Sequence, residues 1–186
     1  MNPEAINTLI TGHSLIRDLG QYSPNLNLAK DNIEIHGFPG ATVGSLINKF
    51  HSLSFLKYQL VIFQIGGNDI SAPHSPPDKV MRDIHHLVDS VRYLNPQAHI
   101  TFMELLPRKK TRAHKHDVHI DIYNSRVDQL NDLLREFLPS VQANFWQHSR
   151  QIKDPCKFYK DDGVHFAYLP PYFKSVRGCT IEALKN

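Results

Sequence analysis

The sequence predicts an α/β protein with a five-stranded parallel sheet between two layers of helices, a three-layer α/β/α sandwich. Five short apolar segments alternate along the chain with segments whose apolar residues recur at helical spacing. Such alternation is typical of strand–helix–strand units with right-handed crossovers, which build parallel sheets. No internal repeat, low-complexity tract or linker interrupts the chain, and 41% of its 186 residues are hydrophobic. We therefore expect a single domain spanning residues 1–186.

Each predicted strand is a short apolar run. Residues 60–65 are almost continuously apolar, as expected of a strand that helices cover on both faces. This run ends at Gly66-Gly67-Asn68-Asp69, a sequence that favours a turn. The other strands are predicted at residues 5–11, 33–37, 100–105 and 141–146.

Helical patterns occupy the segments between the strands. Residues 78–94 carry one apolar stripe at i, i+3, i+4 spacing, formed by Val80, Ile84, Leu87, Val88 and Val91. Residues 43–53 and 120–137 repeat this pattern, and Pro139 lies just beyond the second of them. The last helix is expected from Pro170 or Pro171 to Leu184, with proline in the first turn, where its missing N–H costs little.

Composition argues against several classes of protein. No apolar run approaches the roughly 20 residues that cross a bilayer, and the first residues lack the basic and apolar regions of a signal peptide. A soluble, cytoplasmic protein is therefore expected. Cys156 and Cys179 are the only cysteines, and their spacing fits neither a disulfide framework nor a cysteine-based zinc site. The formal net charge of +3 does not by itself predict a nucleic-acid partner.

Glycine-rich and polar segments follow the predicted strands. Ligands of parallel α/β sheets bind beyond the carboxyl ends of the strands. Residues 11–15 follow the first strand, residues 37–41 the second and residues 66–69 the third. A fourth segment, Asp161-Asp162-Gly163-Val164-His165, lies near the C-terminus. We expect all four segments at one edge of the sheet.

Three side chains in these segments suit acyl transfer. A serine nucleophile needs a base, and the base needs an acceptor that holds it in the correct tautomer. Ser14 is the candidate nucleophile, at the N-terminus of a predicted short helix. His165 is the candidate base. Asp162, three residues earlier in the same loop, is the predicted acceptor for the His165 Nδ1–H.

The same segments supply candidate donors for an oxyanion hole. The tetrahedral intermediate of acyl transfer carries a negative oxygen that backbone and side-chain N–H groups stabilise. The predicted donors are the backbone N–H groups of Ser14 and Gly40 and the side-chain amide of Asn68. Glycine at position 40 permits a close approach of the backbone to the substrate.

The order of these residues resembles that of the SGNH hydrolases, also called GDSL esterases and lipases. The family's nucleophile block is matched by Gly12-His13-Ser14-Leu15 and its oxyanion glycine by Gly40. Its GxND block is matched by residues 66–69 and its DxxH block by residues 162–165. The resemblance covers nearly the whole chain and implies a flavodoxin-like fold. It also implies a serine esterase that cleaves acyl or acetyl esters through an acyl-serine intermediate, without a metal or cofactor.

Two features depart from the family pattern. His13 replaces the family's aspartate before the nucleophile, and residues 166–171 differ from the polar turn and glycine that often follow the family's histidine. We predict that the substrate, a small-molecule, lipid or sugar ester, contacts His13, Phe38, Tyr168 and Tyr172. The resemblance extends to domains encoded by invertebrate mobile elements.

Two other functions remain open at this point. A catalytically silent binding module on the same fold would account for His13 and the altered segment after His165. A nucleic-acid-associated domain would use the basic loop at residues 108–119, which carries six basic residues between Arg108 and Lys115. The histidines of this loop, His114, His116 and His119, are interpreted as part of a solvated charged run, and no metal site is predicted.

Overall fold

A computed structural model describes residues 6–20, 33–50, 57–111, 116–150, 152 and 158–185 and contains the predicted parallel sheet. Its strands lie in the order β2–β1–β3–β4–β5, and every neighbouring pair is parallel. The order reverses direction at β1, so the switch point lies between β1 and β3. This arrangement confirms the predicted fold class. The strands are β1 (Thr8–Gly12), β2 (Ile33–Gly37), β3 (Leu60–Gln64), β4 (His99–Met103) and β5 (Asn144–Trp146).

Helices cover both faces of the sheet. Successive residues of a strand point to opposite faces, and Leu9 and Ile10 of β1 accordingly lie in two different core clusters. On one face the core includes residues of α2 (Val43–Phe50), α3 (Pro77–Leu94) and α4 (Ile120–Phe137). On the other face it includes residues of α1 (Ser14–Gly20) and α5 (Pro170–Ala183).

The predicted boundaries agree closely with the structure for β2, which has the predicted bounds of residues 33–37, and for the long helices. The helix predicted at residues 120–137 has those bounds in α4, and α3 begins one residue before its predicted start. The final strand is the main correction. The strand was predicted from residue 141, but Val141 is the last residue of a 3₁₀ helix (Leu138–Val141), and Gln142 follows with a φ of 52°. A residue with a left-handed backbone conformation cannot continue a strand, and β5 begins only at Asn144.

Parts of two predicted elements lie outside the described residues, namely residues 5 and 51–53. Among the described residues, no helix is both long and apolar enough to cross a membrane. Cys179 is a buried free cysteine of α5, and burial raises the pKa of its thiol. Cys156 lies outside the described residues.

Candidate active site

The turn between β1 and α1 places Ser14 at the edge of the sheet. The His13 backbone N–H donates to the Gln64 carbonyl of β3 (3.2 Å), and the His13 carbonyl accepts from the N–H groups of Ile16 and Arg17. These bonds fix where α1 begins. Ser14 is the first residue of that helix, so its backbone N–H is among the four that no helical carbonyl can bind.

His13 caps the N-terminus of this helix. Its Nδ1 accepts from the Leu15 backbone N–H at 3.4 Å, much as the oxygen of an aspartate side chain does at a helix N-terminus. A neutral ring that accepts at Nδ1 carries its proton on Nε2. The residue is 9% exposed and borders a small cavity of about 20 Å³ beside Ser14. His13 therefore supplies a side-chain acceptor at the N-terminus of α1.

His165 joins Ser14 to Asp162 through two hydrogen bonds. The His165 Nε2 lies 3.0 Å from the Ser14 Oγ, and its Nδ1 lies 2.8 Å from the Asp162 Oδ2. A carboxylate can only accept, so the ring proton lies on Nδ1 and the Nε2 lone pair faces the serine hydroxyl. The structure thus brings the three predicted residues together across 151 positions of sequence.

The Asp162 carboxylate is held in its charged form. Partial burial raises the pKa of this carboxyl, but the backbone N–H groups of His165 and Val164 and the His165 ring lower it more strongly, to about 2. The two N–H groups donate to the Asp162 Oδ1 at 2.9 and 2.8 Å. Hydrogen bonds to a carboxylate favour its charged form. Asp162 is therefore ionised and able to stabilise a charged His165 ring.

The loop that carries Asp162 and His165 is tied to the segment after β4. The Lys109 backbone N–H donates to the Gly163 carbonyl at 2.8 Å. The Tyr159 hydroxyl donates to the Pro107 carbonyl. Within the loop, the Lys160 N–H donates to the His165 carbonyl at 2.7 Å. These contacts hold the loop with His165 against the segment that follows β4.

Gly40 and Asn68 lie in connected turns. Gly40 has a φ of 72°, a backbone conformation that glycine adopts without strain. The Asn68 Nδ2 donates to the carbonyl of Ala41, the residue after Gly40, at 2.9 Å. The Phe38 N–H donates to the Gly12 carbonyl (2.8 Å), which ties this turn to the end of β1. The predicted oxyanion residues thus occupy neighbouring turns at the end of the sheet that carries Ser14.

Asp69 caps α2 from the turn after β3. Both of its carboxyl oxygens lie within 3.2 Å of the Val43 N–H. Burial raises the pKa of this carboxyl to about 7, although the hydrogen bonds from the Val43 and Asp69 backbone N–H groups oppose the rise. The residue after Asn68 therefore fixes the position of α2 relative to the candidate site.

Arg108 is a residue of the site that the sequence analysis did not identify. The sequence placed it in a basic loop, yet it is only 7% exposed. Its guanidinium donates to the Gly67 carbonyl and to the Asn68 Oδ1, both at 3.2 Å. The guanidinium carbon lies 4.2 Å from the centre of the Tyr123 ring. The one available signal was its position shortly after β4, at the same edge as the other strand-end residues.

The predicted substrate contacts have different surroundings. Tyr168 is 57% exposed and lines an open groove of about 630 Å³ together with Phe173, Lys174 and Arg177 of α5. Tyr172 does not line the site, because it is 1% exposed and packs in the core.

Phe38 is half-buried against the core on the opposite face from α5. The Lys49 ammonium lies 4.8 Å from its ring centroid. The Tyr168 groove is lined by residues 167–170 and by Phe173, Lys174 and Arg177, so Phe38 does not line it among the described residues.

In the basic loop, the described lysines are exposed as predicted, and Arg108 is not. Arg108 is buried, whereas Lys109 and Lys110 are exposed. Residues 112–115, which include His114, lie outside the described residues. His119 is the N-cap of α4, and its Nδ1 accepts from the Asp121 N–H at 3.4 Å. Among the described residues, no group of three or more histidine, cysteine or acidic side chains is placed to hold a metal ion.

The sequence of residues 15–167 matches the model of the GDSL-like lipase/acylhydrolase family. The matched range contains Gly40, Asn68, Asp162 and His165 and begins one residue after Ser14. A search of curated protein sequences finds no match to this chain.

Several solved structures share the fold. A GDSL-like lipase from Bacteroides thetaiotaomicron aligns with a TM-score of 0.76 and 15% identity, over 96% of this chain and 87% of that chain. A family 3 carbohydrate esterase from Clostridium thermocellum aligns with a TM-score of 0.71 and 14% identity, over 97% of both chains. A family 3 carbohydrate esterase from Talaromyces cellulolyticus aligns with a TM-score of 0.69 and 13% identity, over 97% of this chain and 99% of that chain.

Proposed function

Because the chain belongs to the GDSL-like lipase/acylhydrolase family and is therefore a hydrolase of ester bonds, we propose that it cleaves carboxylic esters through an acyl-serine intermediate on Ser14. The observation that carries this proposal is the hydrogen-bonded chain from Ser14 through His165 to Asp162, with distances of 3.0 and 2.8 Å. A nucleophile within reach of a base that a third group orients is the arrangement that acyl transfer requires.

The first half of the reaction forms the acyl-enzyme. The Ser14 Oγ attacks the ester carbonyl carbon, and the hydroxyl proton passes to the His165 Nε2. The carbonyl π-electrons move to the oxygen, which becomes the tetrahedral oxyanion. When this intermediate collapses, the bond to the alkoxy oxygen breaks, and the leaving alcohol takes the proton from Nε2. Ionised Asp162 stabilises the positive ring during these steps.

The second half returns the enzyme to its starting state. A water molecule gives a proton to the His165 Nε2 and attacks the acyl carbon. Collapse of the second tetrahedral intermediate breaks the bond to the Ser14 Oγ, which takes the proton back. The product is a carboxylic acid. Residues positioned by the fold carry out both halves, so the proposed mechanism uses no metal or cofactor.

The proposed oxyanion hole comprises the backbone N–H groups of Ser14 and Gly40 and the Asn68 side-chain amide. The position of Ser14 at the start of α1 and the bond between Asn68 and the Ala41 carbonyl support this assignment. Donors fixed before the reaction stabilise the oxyanion without reorganisation, and removal of one such donor typically costs a factor of about 10²–10³ in kcat.

Tyr168 is proposed to contact the substrate through the groove that it lines. The groove begins at Ala167, two residues after His165, so its nearest wall lies within about 8 Å of the histidine backbone. The groove residues include apolar side chains and the cations Lys174 and Arg177. Such a lining suits an ester with an apolar portion.

The test is hydrolysis of p-nitrophenyl acetate, butyrate and octanoate by the wild type and by Ser14→Ala. We expect kcat/KM to fall by a factor of about 10³ or more, because the variant lacks the nucleophile. Ser125→Ala is the matched control, since Ser125 lies exposed on α4. Fluorophosphonate labelling of the wild type should modify Ser14 alone. Equal turnover by the wild type and Ser14→Ala would overturn the proposed mechanism.

A further inference from the structure

We propose that Arg108 is a positioning residue that sets the orientation of the Asn68 side-chain amide, an inference that rests on the proposed function of the Ser14 site. The Arg108 guanidinium donates to the Asn68 Oδ1 and to the Gly67 carbonyl, both at 3.2 Å. One side chain therefore holds both the backbone and the side chain of the turn after β3.

The direction of these bonds decides which end of the amide faces the site. An asparagine amide has two orientations of similar shape, which exchange its oxygen and its nitrogen. A guanidinium carries only donors, so the atom facing Arg108 must be the oxygen. The Asn68 Nδ2 is then directed to the other side, where it lies 2.9 Å from the Ala41 carbonyl, beside Gly40. A flipped amide would place two donors against each other.

Arg108 is itself held in place. Its backbone N–H donates to the Asn124 Oδ1 at 2.9 Å, and its carbonyl accepts from the Asn124 Nδ2 at 3.1 Å. The Tyr123 ring lies beneath the guanidinium, at 4.2 Å. Both contacts come from α4, so this helix fixes the arginine and the arginine fixes the turn. A planar, rigid donor is suited to holding two acceptors at once.

The positive charge adds to the effect of the geometry. Hydrogen bonds from a charged donor are stronger than those between neutral groups. The Arg108 guanidinium polarises the Asn68 amide by drawing electron density toward the oxygen, which makes the Nδ2 hydrogens better donors. The same positive charge favours the negative oxygen that develops during the proposed reaction.

The test is a double-mutant cycle that joins Arg108 to Asn68. Arg108→Met removes the donors and keeps a long apolar side chain over Tyr123, and Asn68→Ala removes the amide. We expect Arg108→Met alone to lower kcat about 10- to 100-fold with little change in KM. In the Asn68→Ala background, the same change should lower kcat less than about threefold, because the group on which it acts has gone.

Fluorophosphonate titration of Ser14 in each variant counts the folded, reactive enzyme, so kcat is measured per active site. A purely structural role for Arg108 would lower the titrated fraction and the Tm while leaving kcat per site unchanged. Arg108→Lys is the conservative variant and carries the test if Arg108→Met does not fold. It keeps the charge but lacks the planar fork. Its kcat should lie between those of the wild type and Arg108→Met. If Arg108→Met does not fold, the kcat of Arg108→Lys should still lie below that of the wild type.

Two results would overturn the inference while leaving the esterase intact. One is wild-type kcat per site in both Arg108 variants. The other is an equal loss from Arg108→Met in the presence and in the absence of Asn68, which would mean that the arginine acts independently of the amide. Failure of the esterase proposal looks different, because Ser14→Ala would then hydrolyse the esters as fast as the wild type.

Discussion

The two halves of the candidate site are held in different ways. Ser14 lies in a turn fixed by strands at the centre of the sheet, where β1 pairs with β2 and β3. Asp162 and His165 lie outside the sheet, in a loop held by hydrogen bonds such as that between the Lys109 N–H and the Gly163 carbonyl. Damage to the first half should therefore unfold the protein, whereas damage to the second should impair activity first.

Two glycines illustrate this difference. A Cβ at Gly37, the last residue of β2, would lie 1.8 Å from the backbone nitrogen of Arg17 in α1. A Cβ at Gly163 would lie 2.6 Å from the Lys110 backbone nitrogen, and Gly163 also has a φ of 69°. Relief at Gly37 requires movement of a helix packed on the sheet, but relief at Gly163 requires movement only of a surface loop.

Two aspartates show the same contrast in their charge. Asp69, next to the central strand β3, is 7% exposed, and burial raises the pKa of its carboxyl to about 7. Burial also raises the pKa of Asp162, but hydrogen bonds in the open loop dominate and lower it to about 2. The sheet side thus favours a neutral carboxyl and the loop side a charged one, because burial outweighs the N–H donors at Asp69, whereas the N–H donors outweigh burial at Asp162.

The largest effect is expected from Gly37→Ala. The added methyl group overlaps a backbone atom, so we expect the free energy of unfolding to fall by at least about 4 kcal/mol. Gly44→Ala is the matched control, since a Cβ at this exposed position in α2 meets nothing within 4 Å. The control should be neutral or more stable by up to about 1 kcal/mol. Urea unfolding of both variants measures the difference, and equal stability would contradict a tight β2–α1 contact.

A smaller effect on stability is expected from Asp69, and it depends on pH. The folded pKa of about 7 lies above the unfolded value of 3.8, so the folded state binds this proton more tightly. The contribution of Asp69 to stability is then fully present below about pH 4 and is lost as the pH rises through 7. The wild type minus Asp69→Asn difference in unfolding free energy should fall by a few kcal/mol over this range. Urea unfolding at pH 4.5, 6 and 7.5 measures it, and a constant difference would refute the prediction.

The smallest of the three effects is expected from Gly163→Ala, and it should appear in activity rather than in stability. A displaced loop moves His165 relative to Ser14, and a shift of about 1 Å in a catalytic group typically costs up to 10²-fold. We expect kcat to fall 10- to 100-fold while the Tm changes by only a few degrees. Thermal unfolding and p-nitrophenyl acetate hydrolysis together test this. Loss of stability comparable to that of Gly37→Ala would remove the contrast between the two halves.

Much of the fold was predictable because its signals are local. The apolar stripe of residues 120–137 specifies a helix through side-chain spacing alone, and α4 has those bounds. The buried run of β3 and the turn after it were equally clear. The start of the last strand was predicted three residues too early, because Val141 is apolar like the residues of the strand but belongs to a 3₁₀ helix that follows directly on α4.

The sequence by itself determined the order of the strands and helices along the chain. It also predicted that Ser14, Gly40, Asn68, Asp162 and His165 lie together at one edge of the sheet. These features depend on residue spacing along the backbone. Only the tertiary structure decided which side chains near that edge are buried. Arg108 resembles its exposed neighbour Lys109 in sequence, yet it binds Gly67 and Asn68, 41 and 40 positions away. Burial depends on partners that the fold brings from distant segments, and no local pattern records them.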